Sequence, residues 1–182
     1  MKAFILGLVC TLAVGASLQA QSPPSAEAVL KEATAIAARE HKNVFILFHA
    51  SWCGWCHKMD TAMNDKSMKK YFTDQYVIRH LVVYESDEKK KLENPGAVDL
   101  LTKYKGNDQG IPYWLIFDKD GKLLADSKIR PEGGGLETGD NTGCPANEQE
   151  VEHFVKVLKQ TSSLKEAELT AIRKRFRQNE SH

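Results

Sequence analysis

Hydrophobic positions change period along the chain, and the changes mark out its elements. Ser25 is a suitable N-cap for a helix through about Glu40, and Val29, Ala33, Ile36 and Ala37 recur there at helical spacing to give one apolar face. His41-Lys42-Asn43 ends it. Val44-Phe45-Ile46-Leu47-Phe48 is then a continuous apolar run of strand length, the pattern of a buried central strand. Helical composition resumes from Cys56, with Met59 and Met63 four apart, and Asn64-Asp65-Lys66-Ser67 breaks that helix and caps a short second one through Phe72. Tyr76 to Tyr84 carries Val77, Ile78, Leu81, Val82 and Val83 and reads as another strand. Glu85 to Glu93 is heavily charged, a solvated loop or a helix start. Ala97 to Tyr104 is a short helix and Gly106 to Gly110 a turn. Ile111-Pro112 leads into a third strand, Tyr113-Trp114-Leu115-Ile116-Phe117. Asp118 to Lys122 is a hairpin turn with Gly121 at a position of positive φ, and Leu123-Leu124-Ala125 returns as an edge strand.

Residues 127–147 carry Pro131, Gly133-Gly134-Gly135, Gly139, Gly143 and Pro145, the composition of a long surface loop. Asn147 followed by Glu150 is a capping-box start, and Val151, Phe154, Val155 and Leu158 form the apolar face of the helix it opens. Ser163 with Glu166 starts another, faced by Leu169, Ile172 and Phe176. No internal repeat interrupts this order, which fits a mixed sheet covered by helices on both faces.

The N-terminus follows different rules. Met1-Lys2 is a short basic start, Ala3 to Leu18 is uncharged and mostly apolar, and Gln19 to Pro24 is polar and proline-rich. This is the pattern of a secretory signal peptide, with cleavage after Ala20 or, second, after Ala16. The apolar run is shorter than the roughly 20 residues of a membrane-spanning helix, so no stable membrane insertion is expected after cleavage. The expected organisation is a signal peptide over 1–20, a linker over 21–27 and one domain over 28–182. Export would place the protein in the periplasm of a Gram-negative cell or outside other cells, where disulfides persist.

Composition narrows the function. The 182 residues are 42% hydrophobic and 27% charged, which excludes collagen-like and wholly disordered chains. Lys and Arg number 25 against 24 Asp and Glu, so no overall field draws the chain to nucleic acid or anionic membranes. Removal of residues 1–20 takes away Lys2 and no acid, leaving 24 basic against 24 acidic residues. Arg173-Lys174-Arg175 with Arg177 reads as a solvated helix face. Of four cysteines, Cys10 lies in the leader, and Cys53, Cys56 and Cys144 remain.

Cys53-Gly54-Trp55-Cys56 follows a buried strand and opens a helix. A cysteine at that position meets unpaired backbone N–H groups and the positive end of the helix dipole, and both favour a thiolate. The second cysteine lies one turn on, close enough to close a disulfide, so the pair can pass two electrons by thiol–disulfide exchange. Trp52 and Trp55 flank it as an apolar apron for a partner's disulfide. A zinc site on Cys53, Cys56 and His57 lacks the second ligand pair that structural zinc needs, and a purely structural staple needs neither the tryptophans nor the helix start. No metal or other cofactor is expected. Cys144, in a glycine-rich stretch without apolar periodicity, is expected to be exposed, able to form dimers and dispensable for redox chemistry.

Phe48 to Met59 resembles the thioredoxin superfamily, with its strand, Trp-Cys-x-x-Cys and helix. Its details resemble the secreted branch with a Trp-Cys-Gly-Trp-Cys-x-x-Met core. Ile111-Pro112 before an apolar strand and the Phe117 to Lys122 hairpin fit as well, and the likeness covers about residues 28–126 and extends to the helix from Asn147. It implies a thioredoxin-like three-layer α/β/α sandwich with a mixed central sheet, and an exported thiol–disulfide oxidoreductase acting on protein thiols and disulfides. An upstream redox partner protein goes with that activity. Cys53 would attack, Cys56 resolve, and a cis Ile111-Pro112 bond would shape a substrate groove with Trp52 and Trp55. Members of the family usually carry a buried acid six residues before the first cysteine; here Leu47 stands there. His49, His57 and Glu85 are the candidates for proton transfer in its place, and the sequence does not choose among them. The direction of electron flow is also open. The reading in another class is a thioredoxin-fold module that binds a protein partner without catalysis, which would not need two thiols.

Overall fold

The computed structural model describes residues 22–181. The expected leader over 1–20 lies outside the described residues. A helix α1 (Ala26–Glu40) starts where the Ser25 hydroxyl accepts the Ala28 N–H, and ends at His41, whose backbone turns left-handed at φ 54°. Strand β1 (Asn43–His49) follows, then α2 (Gly54–Asn64), the short α3 (Lys69–Thr73) and β2 (Tyr76–Val82). A 3-10 helix (Asp87–Leu92) and α4 (Ala97–Lys103) lead to β3 (Tyr113–Phe117) and β4 (Leu123–Asp126). A two-stranded ribbon, β5 (Lys128–Ile129) with β6 (Asp140–Asn141), precedes α5 (Glu148–Thr161) and α6 (Glu166–Arg177).

The main sheet has the order β2-β1-β3-β4. Strand β1 runs parallel to β2, with Leu47 opposite His80, and antiparallel to β3, with Leu47 opposite Trp114. Side chains alternate across β1, and this splits the core into two. Phe45 and Leu47 join Trp114 and Ile116 under α2, α3, α5 and α6. Val44, Ile46 and Phe48 join Tyr113, Leu115 and Phe117 under α1 and α4. The result is the expected three-layer sandwich around a mixed sheet. Every apolar position assigned to α5 and α6 from periodicity is buried.

The structure corrects several local expectations. The helix α6 is not opened by Ser163, which hydrogen-bonds Gln75 instead; Glu168 closes the start by accepting the Lys165 N–H at 2.7 Å. Asp65 does not cap α3 but folds onto Ser67, accepting from its N–H and hydroxyl. Among the basic residues of α6, Lys174 is exposed as expected, whereas the three arginines are paired. Arg173 pairs with Glu152, Arg175 with Asp65 and Arg177 with Glu180.

Segment 127–147 differs most. It is not a surface loop throughout, because Ser127, Lys128, Thr142 and Cys144 are all buried. Asp126, shut from solvent, holds Arg130 through both of its oxygens and accepts the Lys128 N–H. Gly139 closes the ribbon at φ 82°, where an added Cβ would lie 2.1 Å from the Ile129 carbonyl oxygen. Glycine is the residue that fits there.

Candidate redox site

Cys53 is the N-cap of α2, so its sulfur stands where the first helical amides lack carbonyl partners. Its Sγ accepts the Cys56 N–H at 3.1 Å, and a disulfide joins the two residues with their Cα atoms 5.2 Å apart. Cys56 is fully buried and Cys53 nearly so. Once the disulfide is reduced, that N–H and the dipole of α2 favour the thiolate at Cys53. The Ile111-Pro112 bond is cis, as the resemblance implied, and the Ile111 carbonyl oxygen lies 3.5 Å from Cys53 Sγ.

Two loops hold this end of α2. On one side Glu85 is buried, and its carboxylate accepts the Ser51 N–H at 2.6 Å and the Ser51 hydroxyl at 2.8 Å. Burial pushes that carboxyl up, but the two hydrogen bonds and the nearby Lys89 charge outweigh it and hold it below the usual range. Trp52 donates its indole N–H to the Tyr84 carbonyl at 2.8 Å yet stays 61% exposed. On the other side Asn141 donates to the Pro112 carbonyl at 3.1 Å and to that of Gln109 at 3.1 Å. The indole of Trp114 donates to the Gly143 carbonyl. A groove of about 240 Å³ runs between these parts, lined by Trp55, Ile111, Pro112 and Asn141 among others. Trp55 is half exposed there, with the Lys58 ammonium 4.3 Å from its ring centre.

The proton-transfer candidates occupy different settings. His57 is exposed, and its Nε2 donates to the Ser51 carbonyl at 3.0 Å. Glu85 is committed to Ser51. His49 is half-buried with Nδ1 shut from solvent and unpartnered, and its ring meets His80 edge-on at 5.0 Å between centres. His80 in turn bonds Asp60 of α2 at 2.8 Å. Leu47 sits in the core with Met59 and Met63, and places no acid under α2. Among the described residues no group of three His, Cys, Asp or Glu side chains is arranged to hold a metal ion.

The chain is similar to known proteins. Residues 25–119 match a family model described as thioredoxin-like. The chain belongs to the thioredoxin-like family. It is 32% identical over 133 residues to the disulfide bond reductase DsbH of Chlamydia pneumoniae, across 67% of this chain and 76% of that one. The crystal structure of a disulphide isomerase from Xylella fastidiosa Temecula1 shares the fold, with a TM-score of 0.50 at 20% identity over 78% of this chain and 95% of that one. With the Cys53–Cys56 disulfide at the head of α2, this thioredoxin-like protein is thiol–disulfide oxidoreductase-like.

Cys144 is buried, not exposed as expected. It is 4% exposed rather than open to solvent, with Asn179 Nδ2 3.4 Å from its sulfur, and it borders the Trp55–Pro112 groove. Lacking apolar periodicity, its segment is buried through backbone and amide hydrogen bonds instead. Asn141, His80 and Asp60 went unnoticed in the sequence, since their meaning depends on strand register and a loop contact that no local pattern carries.

Proposed function

We propose that the protein is an exported oxidoreductase that reduces disulfides in other proteins through the Cys53–Cys56 couple. The observation that carries this reading is Cys53 as N-cap of α2, its sulfur accepting a helix amide and bonded to Cys56. Cys53 attacks a substrate disulfide, a mixed disulfide forms, and Cys56 displaces the substrate thiol. Trp52, Trp55, Ile111 and Pro112 border the place where an extended substrate chain lies. The reducing direction is supported by the likeness to the disulfide bond reductase, and export by the leader pattern of residues 1–20. A separate redox partner protein then returns the couple to the dithiol.

Trapping tests this. Cys56→Ser should accumulate mixed disulfides with substrate proteins, and Cys53→Ser should not. Trapping by Cys53→Ser alone would reverse the roles, and trapping by neither would leave a binding module. A couple near thioredoxin's roughly −270 mV supports reduction, whereas one near the ~−120 mV of a strong oxidant would reverse the direction.

A further inference from the structure

Cys56 is 0% exposed, and in the dithiol it carries a proton that it must lose before it can attack. Burial in apolar surroundings raises a thiol's pKa, so a proton acceptor is needed at hand. Leu47 supplies none. Strand alternation puts His49 on the same face of β1 as Leu47, the face that α2 covers. The parallel register sets His80 opposite Leu47, and its bond to Asp60 shows that it faces α2 too. Asp60 follows Cys56 by one helical turn. His49, His80 and Asp60 therefore lie together on the face that α2 covers, His49 against His80 and His80 against Asp60. The Nδ1 of His49 is shut from solvent and unpartnered, while the His80 and Asp60 side chains are about a third exposed.

We infer that His49 accepts the Cys56 proton, and that His80 and Asp60 are positioning residues that hold it and connect it to solvent. The inference rests on the dithiol reading above and selects one of three candidates. Both carboxylate oxygens of Glu85 are taken by Ser51, and His57 is exposed and turned to the Ser51 carbonyl. The groups that face His49 are His57 and Asp60 from α2, His80 from β2 and Glu85 beyond it. Burial, then the His80 charge, lower its pKa against the pull of Asp60 and Glu85, so the ring is neutral at pH 7 and free to take a proton.

The sequence of steps balances. The Cys53 thiolate attacks the substrate disulfide, forming the mixed disulfide and releasing one substrate thiolate. The Cys56 S–H proton passes to His49. The Cys56 thiolate attacks the Cys53 sulfur, closing the protein disulfide and releasing the second substrate thiolate. His49 then returns its proton to that thiolate or to solvent. Two electrons leave the dithiol and reduce one substrate disulfide.

Ellman's reagent separates the two attacks, because the reduced protein releases one coloured thiolate when Cys53 reacts and a second when Cys56 does. His49→Gln should slow the second release about 100-fold at pH 7 and leave the first unchanged. In the unsubstituted protein the second rate should fall as pH drops through an inflection below 6.5, and His49→Gln should abolish that inflection. Asp60→Asn removes a charge that favours the imidazolium and should move the inflection to lower pH, which decides the matter if His49→Gln fails to fold. An unchanged second phase in His49→Gln, or an unmoved inflection in Asp60→Asn, overturns the inference. Absence of a second release from the unsubstituted protein would instead overturn the dithiol reading.

Discussion

Ellman's reagent added to the folded, oxidised protein is expected to leave Cys144 unmodified. Burial pushes this thiol up from an ordinary 9.0 to about 12, against the opposing pull of the Lys58 charge. Exchange needs the thiolate, so three units cost about a thousandfold in reactive species near neutral pH. Restricted access adds to that, because the side chain is 4% exposed and packed beside Asn179. A more basic thiolate is also a better nucleophile, which gives back part of that loss, so labelling should be at least about 30-fold slower than in denaturant. The assay is timed labelling read peptide by peptide, so that Cys10 does not confound the result. Cys144→Ser should keep the redox activity, and the unsubstituted protein should show no Cys144-linked dimer on non-reducing gels. Native labelling at a rate near that in denaturant, or such a dimer, would refute this packing of the glycine-rich segment. The same shift fixes a pH dependence. Above about 9 the unfolded chain loses this proton and the folded one does not, so the stability contribution is complete below that value and declines as pH rises.

Two substitutions test the scaffold. Arg130→Ala leaves the buried Asp126 carboxylate without its two-point partner and should cost about 3–5 kcal/mol, read as a lower denaturant midpoint; an unchanged midpoint would mean the pair is solvated. Phe154→Ala removes a ring whose centre lies 4.9 Å from that of Phe176 and 5.5 Å from that of Trp114, and should cost about 3–5 kcal/mol by thermal or urea unfolding.

The sheet and its helices were legible because their apolar positions keep a fixed period. The run Val44 to Phe48 has to be covered on both faces, and the faces of α5 and α6 follow directly from spacing. The cysteine pair was legible because a short motif between strand and helix carries its own electrostatics. Segment 127–147 was not, because its buried residues are held by hydrogen bonds to backbone far along the chain, such as the N–H and hydroxyl of Thr142 to the Ser127 carbonyl, and glycine and proline content alone reads as exposure. The group of His49, His80 and Asp60 was hidden for another reason. His49 and His80 stand 31 residues apart and meet through the parallel pairing of β1 with β2, a register the crossover between them does not reveal.

The ties made by Glu85 and Asn141 bear on one requirement of the chemistry. Disulfide exchange passes through three sulfurs, and a small misplacement of the attacking group costs rate steeply. The helix α2 fixes Cys53 and Cys56 relative to each other, but the substrate sulfur has to be placed by the loops around them. Glu85 ties the Ser51 turn from the β2 side, and Asn141 ties the Pro112 loop from the ribbon side. Neither residue touches a sulfur, yet each sets one wall of the site. The two walls are anchored differently, one by a carboxylate with two hydrogen bonds and one by an amide reaching the Gln109 and Pro112 carbonyls. The Pro112 wall thus depends on a segment after β4, beyond the 25–119 span of the family match, so the shape of the groove is set in part by residues outside that span.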